Sequence, residues 1–324
     1  MRILVTGSAG FIGSHLCIKL LKLRHSVYGV DNHNDYYSKE LKEDRLKNFL
    51  KNKKYKHFRI DISDSKKLFH IFQQVKPHIV VNLAAQAGVR YSILNPMPYV
   101  QSNLVGFSNI LECCRKFKTH HLIYASSSGV YGANIEKPFK ESHRTDHPLS
   151  FYAATKKSNE VMAYSYSHLY KLPTTALRFF TVYGPWDRPD MALQSFAKSI
   201  MEEKEVNLFN KGMHKRDFTY IDDIINSITK IIEKPQAAYD DFHKIYNLGN
   251  SSPTNLVDYL SALEKSLGKK AKIKFDKMQP GDVLDTHACN DSFYETFDYR
   301  PKTSILVGVE KFSKWFLDYY KYTS

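Results

Sequence analysis

Three glycines at three-residue spacing, Gly7, Gly10 and Gly13, separate a short apolar run, Ile3-Leu4-Val5, from a stretch, Phe11 to Leu23, whose apolar residues recur at helical intervals. No other feature of the chain narrows the fold as far. An apolar run of this kind fills a buried parallel strand, and a tight passage into a helix at its end needs glycine. In a strand–turn–helix unit the first glycine permits the turn, the second lets the backbone approach a pyrophosphate, and the third lets helix and strand pack closely. Val27-Tyr28-Gly29-Val30-Asp31 then closes a βαβ unit, with an acid about 20 residues beyond the turn, where it accepts hydrogen bonds from an adenosine ribose. A 2′-phosphate would meet that carboxylate, so the unit predicts NAD rather than NADP. Free amides and the positive dipole end at the helix N-terminus complete the phosphate site.

With 324 residues, 43% of them hydrophobic, the chain can bury a sizeable core and suggests two domains. Its 47 basic against 33 acidic residues give a net charge of +14. Lysine-rich stretches such as Lys51 to Lys56 and Lys269 to Lys274 suit solvated faces, and a basic surface also attracts a small phosphorylated or carboxylated substrate. Neither an RNA-binding aromatic–basic motif nor zinc-finger spacing is present, so no nucleic-acid partner is expected. Cys17, Cys113, Cys114 and Cys289 show no metal or C-x-x-C spacing, which points to reduced thiols, no metal and a cytoplasmic location. Gly7 and Gly10 interrupt the N-terminal apolar run and no segment approaches the roughly 20 apolar residues of a membrane span, so neither a signal peptide nor membrane insertion is expected.

Strands are expected at His57–Ile62, His78–Leu83, His121–Ala125 and Thr175–Phe180, and helices at Leu41–Lys51, Tyr99–Phe117 and Tyr152–Lys171. Such alternation argues for an α/β fold with a Rossmann-type doubly wound parallel sheet, whose ligands sit beyond the carboxyl ends of the strands. Beyond Thr181 the pattern loosens. Helices near Met191–Glu203, Asn255–Leu267 and Leu306–Tyr320, strands near Val206–Phe209 and Ile273, and a strand-like start to a helix over Phe218–Ile232 predict a smaller C-terminal α/β domain. The expected division is residues 1–180, with part of 218–250 returning to it, and 181–324. Asn32 and Asn34 follow Asp31 where a loop could hydrogen-bond the adenosine end, and the strand ending at Ile62 would flank the adenine.

Tyr152-Ala153-Ala154-Thr155-Lys156 places a phenol and an ammonium on one helix face, after a serine cluster at Ser126-Ser127-Ser128. A free phenol titrates near 10, so only on the order of 0.1% is ionised at pH 7. Lowering that value by about 3 units takes roughly 4 kcal/mol, which a neighbouring lysine and an oxidised nicotinamide can supply. Tyr152 then serves as general base toward a sugar hydroxyl that Ser127 also contacts.

With these residues in view, the chain resembles the extended short-chain dehydrogenase/reductases over essentially its whole length. Thr6-Gly7-x-x-Gly10-Phe11-Ile12-Gly13, Asp61, Asn82-Leu83-Ala84-Ala85, Asn103, Ser126-Ser127, Val130-Tyr131-Gly132, Tyr152-x-x-x-Lys156, Arg178-Phe179-Phe180 and Arg216-Asp217-Phe218 carry the match. Within that family it is most similar to the UDP-glucuronate 4-epimerases, through Asp31-Asn32-x-Asn34-Asp35-Tyr36-Tyr37, Gln86 to Ser92, Gly184-Pro185-Trp186-x-Arg188-Pro189-Asp190-Met191-Ala192 and Gln279 to Val283.

The resemblance implies that Phe11, Ile12, Asp61, Ile62, Leu83, Ala84, Ala85 and Asn103 join the glycines, Tyr152 and Lys156 around NAD. It implies a UDP-sugar substrate, with Arg216 on the diphosphate, Asp282 on the uridine ribose, Arg188 and Thr181 on the sugar carboxylate, Ser128 adding a hydroxyl, and Arg90 among the substrate contacts. A homodimer is implied as well, with the Tyr99–Phe117 and Tyr152–Lys171 helices pairing with their copies. Asp187 stands where the family usually has glycine, and Gly129 where serine is common. The implied activity is C4 epimerisation of UDP-glucuronate to UDP-galacturonate through a 4-keto sugar. That keto acid sheds carbon dioxide if its carboxylate bond aligns with the ketone, so the carboxylate must be gripped. A 4-epimerase of a neutral UDP-sugar and a catalytically silent nucleotide-binding protein are the alternatives. A 4,6-dehydratase is disfavoured, because Ser128 and Gly129 occupy the places of its acid pair.

Overall fold

The computed structural model describes residues 1–234, 241–277 and 283–322. In chain order the first elements are β1 (Arg2–Thr6), α1 (Phe11–Lys22), β2 (Ser26–Asp31), α2 (Lys39–Lys47), β3 (Tyr55–Arg59), α3 (Ser65–Val75) and β4 (Ile79–Asn82). α4 (Val89–Leu94) and a single turn, α5 (Met97–Tyr99), lead through a π-helical stretch, Val100–Val105, into α6 (Gly106–Lys116). β5 (His121–Ser127), α7 (Phe151–Tyr170) and β6 (Thr174–Phe179) follow. Then come β7 (Thr181–Tyr183), α8 (Ala192–Met201), β8 (Glu205–Phe209), β9 (Lys215–Tyr220), α9 (Ile221–Glu233) and β10 (His243–Leu248). The described chain closes with β11 (Pro253–Asn255), α10 (Leu256–Leu267), β12 (Lys272–Asp276), α11 (Asp291–Phe297) and α12 (Ile305–Tyr320).

The chain divides into two compact units. Unit one comprises Met1–Asn134, Glu141–Phe179 and Ile225–Asn247. Its centre is a seven-stranded sheet in the order β10-β6-β5-β4-β1-β2-β3, with β1, β2, β3, β4, β5 and β6 joined by parallel pairings. Strand order reverses between β1 and β4, the switch point at which doubly wound sheets bind ligands. Ile3, Leu4 and Val5 have no exposed surface and neither do Val80 and Val81, as expected of strands covered on both faces. One core cluster joins Leu4, Val80, Leu122 and Ala176 of the sheet to Leu68, Ile71, Phe72 and Val75 of α3 and to Phe107, Ile110 and Leu111 of α6.

α3 is not among the helices the periodicity predicts, although its signal is present. The Asp64 side chain caps it by accepting from Lys67 N at 3.1 Å, its buried residues follow at helical spacing, and Lys76 stops it in the left-handed region at φ 44°. β3 begins two residues before the expected strand and ends before Asp61. There the Asp61 carboxylate accepts from Ser63 N at 2.8 Å and turns the chain away from the sheet. α2 also lies earlier than expected, because Ser38 caps it and Phe49 to Tyr55 form turns.

Unit two comprises Ile135–Lys140, Phe180–Ile224 and Leu248–Ser324. It holds a three-stranded sheet, β11-β9-β7, and a parallel pair of β12 with β8. Phe218 stacks on Tyr259 of α10 at 3.9 Å, and both are buried, as are Leu263 and Phe312 of the packing helices. Among the described residues no helix is long and apolar enough to cross a membrane, and no cluster of three potential metal ligands occurs.

Candidate active site

Between β1 and α1 the chain makes a turn that only glycine can make. Gly7 has φ 70°, and a Cβ on it would lie 2.8 Å from Ala84 N; a Cβ on Gly13 would lie 2.0 Å from the Gly7 carbonyl oxygen. Gly10 N donates to Gly7 O at 2.9 Å and Gly7 N to Val30 O at 2.8 Å, which closes the turn onto β2. Gly10 caps α1 without a side-chain hydrogen bond. No capping side chain therefore fills the first-turn amides at Phe11, Ile12 and Gly13.

Asp31, at the end of β2, accepts from Ala9 N at 3.0 Å and from His33 N at 2.9 Å. A carboxylate has about four acceptor sites, so two are left for ribose hydroxyls. Asn32 donates to Asp61 at 2.7 Å and accepts from Asn34 N at 3.0 Å. Burial alone would raise the Asp61 carboxyl, but the bonds from Ser63 and Asn32 hold it below the usual range. From α2 the buried Lys42 ammonium donates to Asn34 O at 2.7 Å and to its side-chain oxygen at 2.6 Å; burial pushes that lysine down to about 8, with the charge of Asp31 opposing. Arg45 reaches the Ala9 carbonyl and the Tyr37 hydroxyl. Neither α2 cation is foreseeable from the motifs, because their sequence signature is that of a solvated helix.

On the other side of the turn Leu83 N donates to Thr6 O and Ala84 N to the Thr6 hydroxyl, both at 3.2 Å, so the end of β4 runs close beside β1. Ala85 follows, half-buried, and Ile62 joins the core cluster. Asn103 lies in the π-helical stretch. Its amide donates to Gln86 O and to the Thr155 hydroxyl and accepts from Gln86 N, so it shapes the wall through other residues. Arg90 is exposed on α4. A helix terminus with open amides, a glycine cradle that a Cβ would fill and a carboxylate at the ribose position together fit a dinucleotide.

α7 starts at Ser150, whose hydroxyl accepts from Ala153 N, and stops at Lys171 in the left-handed region, two residues before Pro173. Lys156 is 2% exposed, and its ammonium donates to Ala125 O in β5 at 2.9 Å. Burial pushes it down to about 8. A lysine at that value is still about nine-tenths protonated at pH 7. Tyr152, one turn earlier and half-buried, sets its ring at 6.1 Å and near right angles to Tyr99. Ser127 ends β5, two residues after the carbonyl that holds Lys156, and its hydroxyl accepts from Gly129 N at 3.1 Å. Ser128 opens the following 3-10 turn.

In unit two, Thr181 opens β7, half-buried. The Arg188 guanidinium is held flat by its neighbour, Nε donating to one Asp190 oxygen at 2.9 Å and Nη2 to the other at 2.8 Å. Arg216 donates to the Leu284 carbonyl at 2.7 Å. Asp217 beside it accepts from the backbone of Asn250, Ser251 and Ala288 and fixes that stretch of β9; burial nonetheless raises its carboxyl. Asp282 lies outside the described residues.

Residues 3–249 match the model of the NAD dependent epimerase/dehydratase family. A Staphylococcus aureus protein named Protein CapI is 52% identical over 99% of this chain and 100% of its own length. UDP-glucuronate 4-epimerase 6 of Arabidopsis thaliana is 43% identical over 99% of this chain and 72% of its own. Among solved structures, the UDP-glucuronic acid 4-epimerase of Bacillus cereus in complex with UDP-glucuronic acid and NAD superposes with a TM-score of 0.92 at 35% identity, over 99% of this chain and 100% of that one.

Proposed function

Because the chain belongs to the NAD-dependent epimerase/dehydratase family, we propose that it inverts C4 of UDP-glucuronate to give UDP-galacturonate. The observation that carries the chemistry is Lys156, buried one turn from Tyr152 and bonded to β5 at Ala125, two residues before Ser127. When bound, NAD supplies the acceptor that takes up and returns the two electrons of the C4–H bond. Tyr152, its phenolate favoured by the adjacent ammonium, removes the O4 proton and gives it back after the 4-keto sugar has turned its other face. Ser127 orients the same oxygen. Gly7, Gly10, Phe11, Ile12 and Gly13 would hold the pyrophosphate, and Asp31, Asn32, Asn34, Asp61 and Ile62 the adenosine. Leu83, Ala84 and Ala85 flank the dinucleotide, and Asn103 supports that wall through Gln86 and Thr155.

Unit one, Met1–Asn134 with Glu141–Phe179 and the returning Ile225–Asn247, forms the cofactor unit, and unit two holds the UDP-sugar. Arg216 engages the diphosphate and Asp282 the uridine ribose, with Arg90 a further substrate contact. Arg188, whose planar fork already grips a carboxylate at Asp190, takes the sugar carboxylate with Thr181 and Ser128, keeping it out of line with the ketone. Incubation with UDP-glucuronate and NAD should yield UDP-galacturonate without carbon dioxide. Release of carbon dioxide, or turnover of UDP-glucose in preference to the uronate, overturns the assignment. The enzyme acts in the cytoplasm and pairs through α6 and α7, where Val161, Tyr164 and Leu169 are 58%, 58% and 64% exposed; a monomer in sedimentation at micromolar concentration refutes the pairing.

A further inference from the structure

One turn beyond Lys156 on α7 stands Glu160, also 2% exposed. Its carboxylate accepts the Ser126 hydroxyl at 2.6 Å and, through both oxygens, Nε and Nη2 of Arg178, each at 2.9 Å. Arg178 and Ser126 face each other across the β5–β6 pairing. Burial alone would raise the Glu160 carboxyl, but the Arg178 bonds and charge, with Ser126, hold it below the ordinary range. Arg178 Nη1 donates to the Tyr131 hydroxyl at 3.0 Å, and Tyr131 donates to the Asn247 side chain at 2.7 Å. The network therefore joins α7, β5, β6, the turn after β5 and β10, all within unit one.

A buried ion pair is a poor way to gain stability, because the desolvation of both charges offsets their attraction and well-packed apolar residues often do as well. What it does supply is geometry, since a bidentate carboxylate–guanidinium contact tolerates little sliding or rotation. Lys156 and Glu160 clamp α7 to consecutive residues of β5, Ala125 and Ser126, at points about 6 Å apart along the helix. The next residue of that strand is Ser127, and one turn back on the helix is Tyr152. We propose that Glu160, locked by Arg178, is a positioning residue for the epimerisation, fixing Tyr152 against Ser127 through its bond to Ser126. The inference rests on the role given above to Tyr152 and Lys156. A shift on the order of 1 Å at a reacting group costs about a hundredfold in rate.

Ser126→Ala tests this gently, removing one hydroxyl and leaving the ion pair. Ser167→Ala is its control. Ser167 is equally buried on the same helix and bonds Leu172 O and Thr174, outside the network. For S126A we expect kcat for UDP-glucuronate to fall at least tenfold with KM and bound NAD unchanged, and the acid limb of the kcat–pH profile to move to higher pH as Tyr152 loses its setting. S167A should lower the melting temperature and leave kcat and the pH profile as they are. Glu160→Gln, which keeps the shape and unbalances the Arg178 contact, should reproduce the S126A profile more severely wherever it folds. Wild-type kcat and an unshifted profile in S126A overturn the positioning role, and so does an S167A profile that moves equally. Absence of epimerisation in the wild-type enzyme would instead count against the proposed function itself.

Discussion

Replacing Gly13 by alanine perturbs the nucleotide turn at its tightest point. The added Cβ would stand 2.0 Å from the Gly7 carbonyl oxygen and 2.8 Å from its carbon. The two segments must part by about 1.4 Å before ordinary van der Waals contact returns. Gly7 has little room to yield, because even a Cβ on it would lie 2.8 to 2.9 Å from the backbone of Ala84 and Leu83. The displacement therefore falls on α1, whose Phe11, Ser14, Leu16 and Cys17 are buried. Overpacking with no room to relax costs about 3 kcal/mol. Moving the α1 terminus by more than 1 Å also breaks at least one amide bond to a phosphate, which at about 2 kcal/mol weakens NAD binding roughly thirtyfold. Gly268→Ala is the comparison. It also has positive φ, at 68°, but open space around the new Cβ, so it should cost about 1 kcal/mol and leave NAD binding intact. Urea denaturation of the apoprotein and a fluorescence titration with NAD measure both quantities. A G13A protein as stable as G268A, with wild-type affinity for NAD, would refute the steric account of this turn.

Other expectations follow from the same geometry. Tyr152→Phe should abolish epimerisation and keep bound NAD, read by product analysis and the absorbance of released cofactor. Burial lowers the Lys156 pKa from 10.5 to about 8, so between those values the unfolded chain holds the extra proton and stability rises with pH; Lys156→Met should remove that rise in urea midpoints. On the role proposed for Lys156, activity runs the other way, falling as pH passes about 8 and its ammonium is lost. His57, bonded to His33 at 2.9 Å, is pushed down to about 4 by burial, so its contribution to stability is lost as pH falls from about 6.5 toward 4, and His57→Asn should flatten that limb. Arg188→Gln should raise KM for UDP-glucuronate by about tenfold or more with NAD content unchanged, the loss of a charge-assisted bond.

The alternation of strands and helices was readable because the central strands β1, β4 and β5 carry short apolar runs and most helices show a buried stripe, whereas β3, Tyr-Lys-His-Phe-Arg, is largely polar. The π-helical stretch at Val100–Val105 was not, because it arises where the Asn103 amide is drawn to Gln86 and Thr155, partners 17 and 52 residues away in sequence. In the site, the residues proposed to face a ligand announce themselves through spacing: glycines every third position, tyrosine and lysine four apart. Those that hold them do not. Glu160 and Arg178 look like ordinary charges of a helix and a strand until the fold brings their side chains together, and Lys42 and Arg45 sit in a helix whose composition suits solvent. The Arg188–Asp190 contact lies two residues apart, yet its planar geometry comes from a local turn that charge spacing alone does not specify.

Unit one is assembled from three separate lengths of chain, the last of which ends at Asn247. Without that last length β6, wholly buried, would become a bare sheet margin with unpaired amides, the kind of surface that recruits strands from other molecules. A fragment ending at Phe179 is thus poised to aggregate rather than to bind nucleotide. During synthesis, too, the sheet stays open along one side until about three-quarters of the polypeptide has left the ribosome.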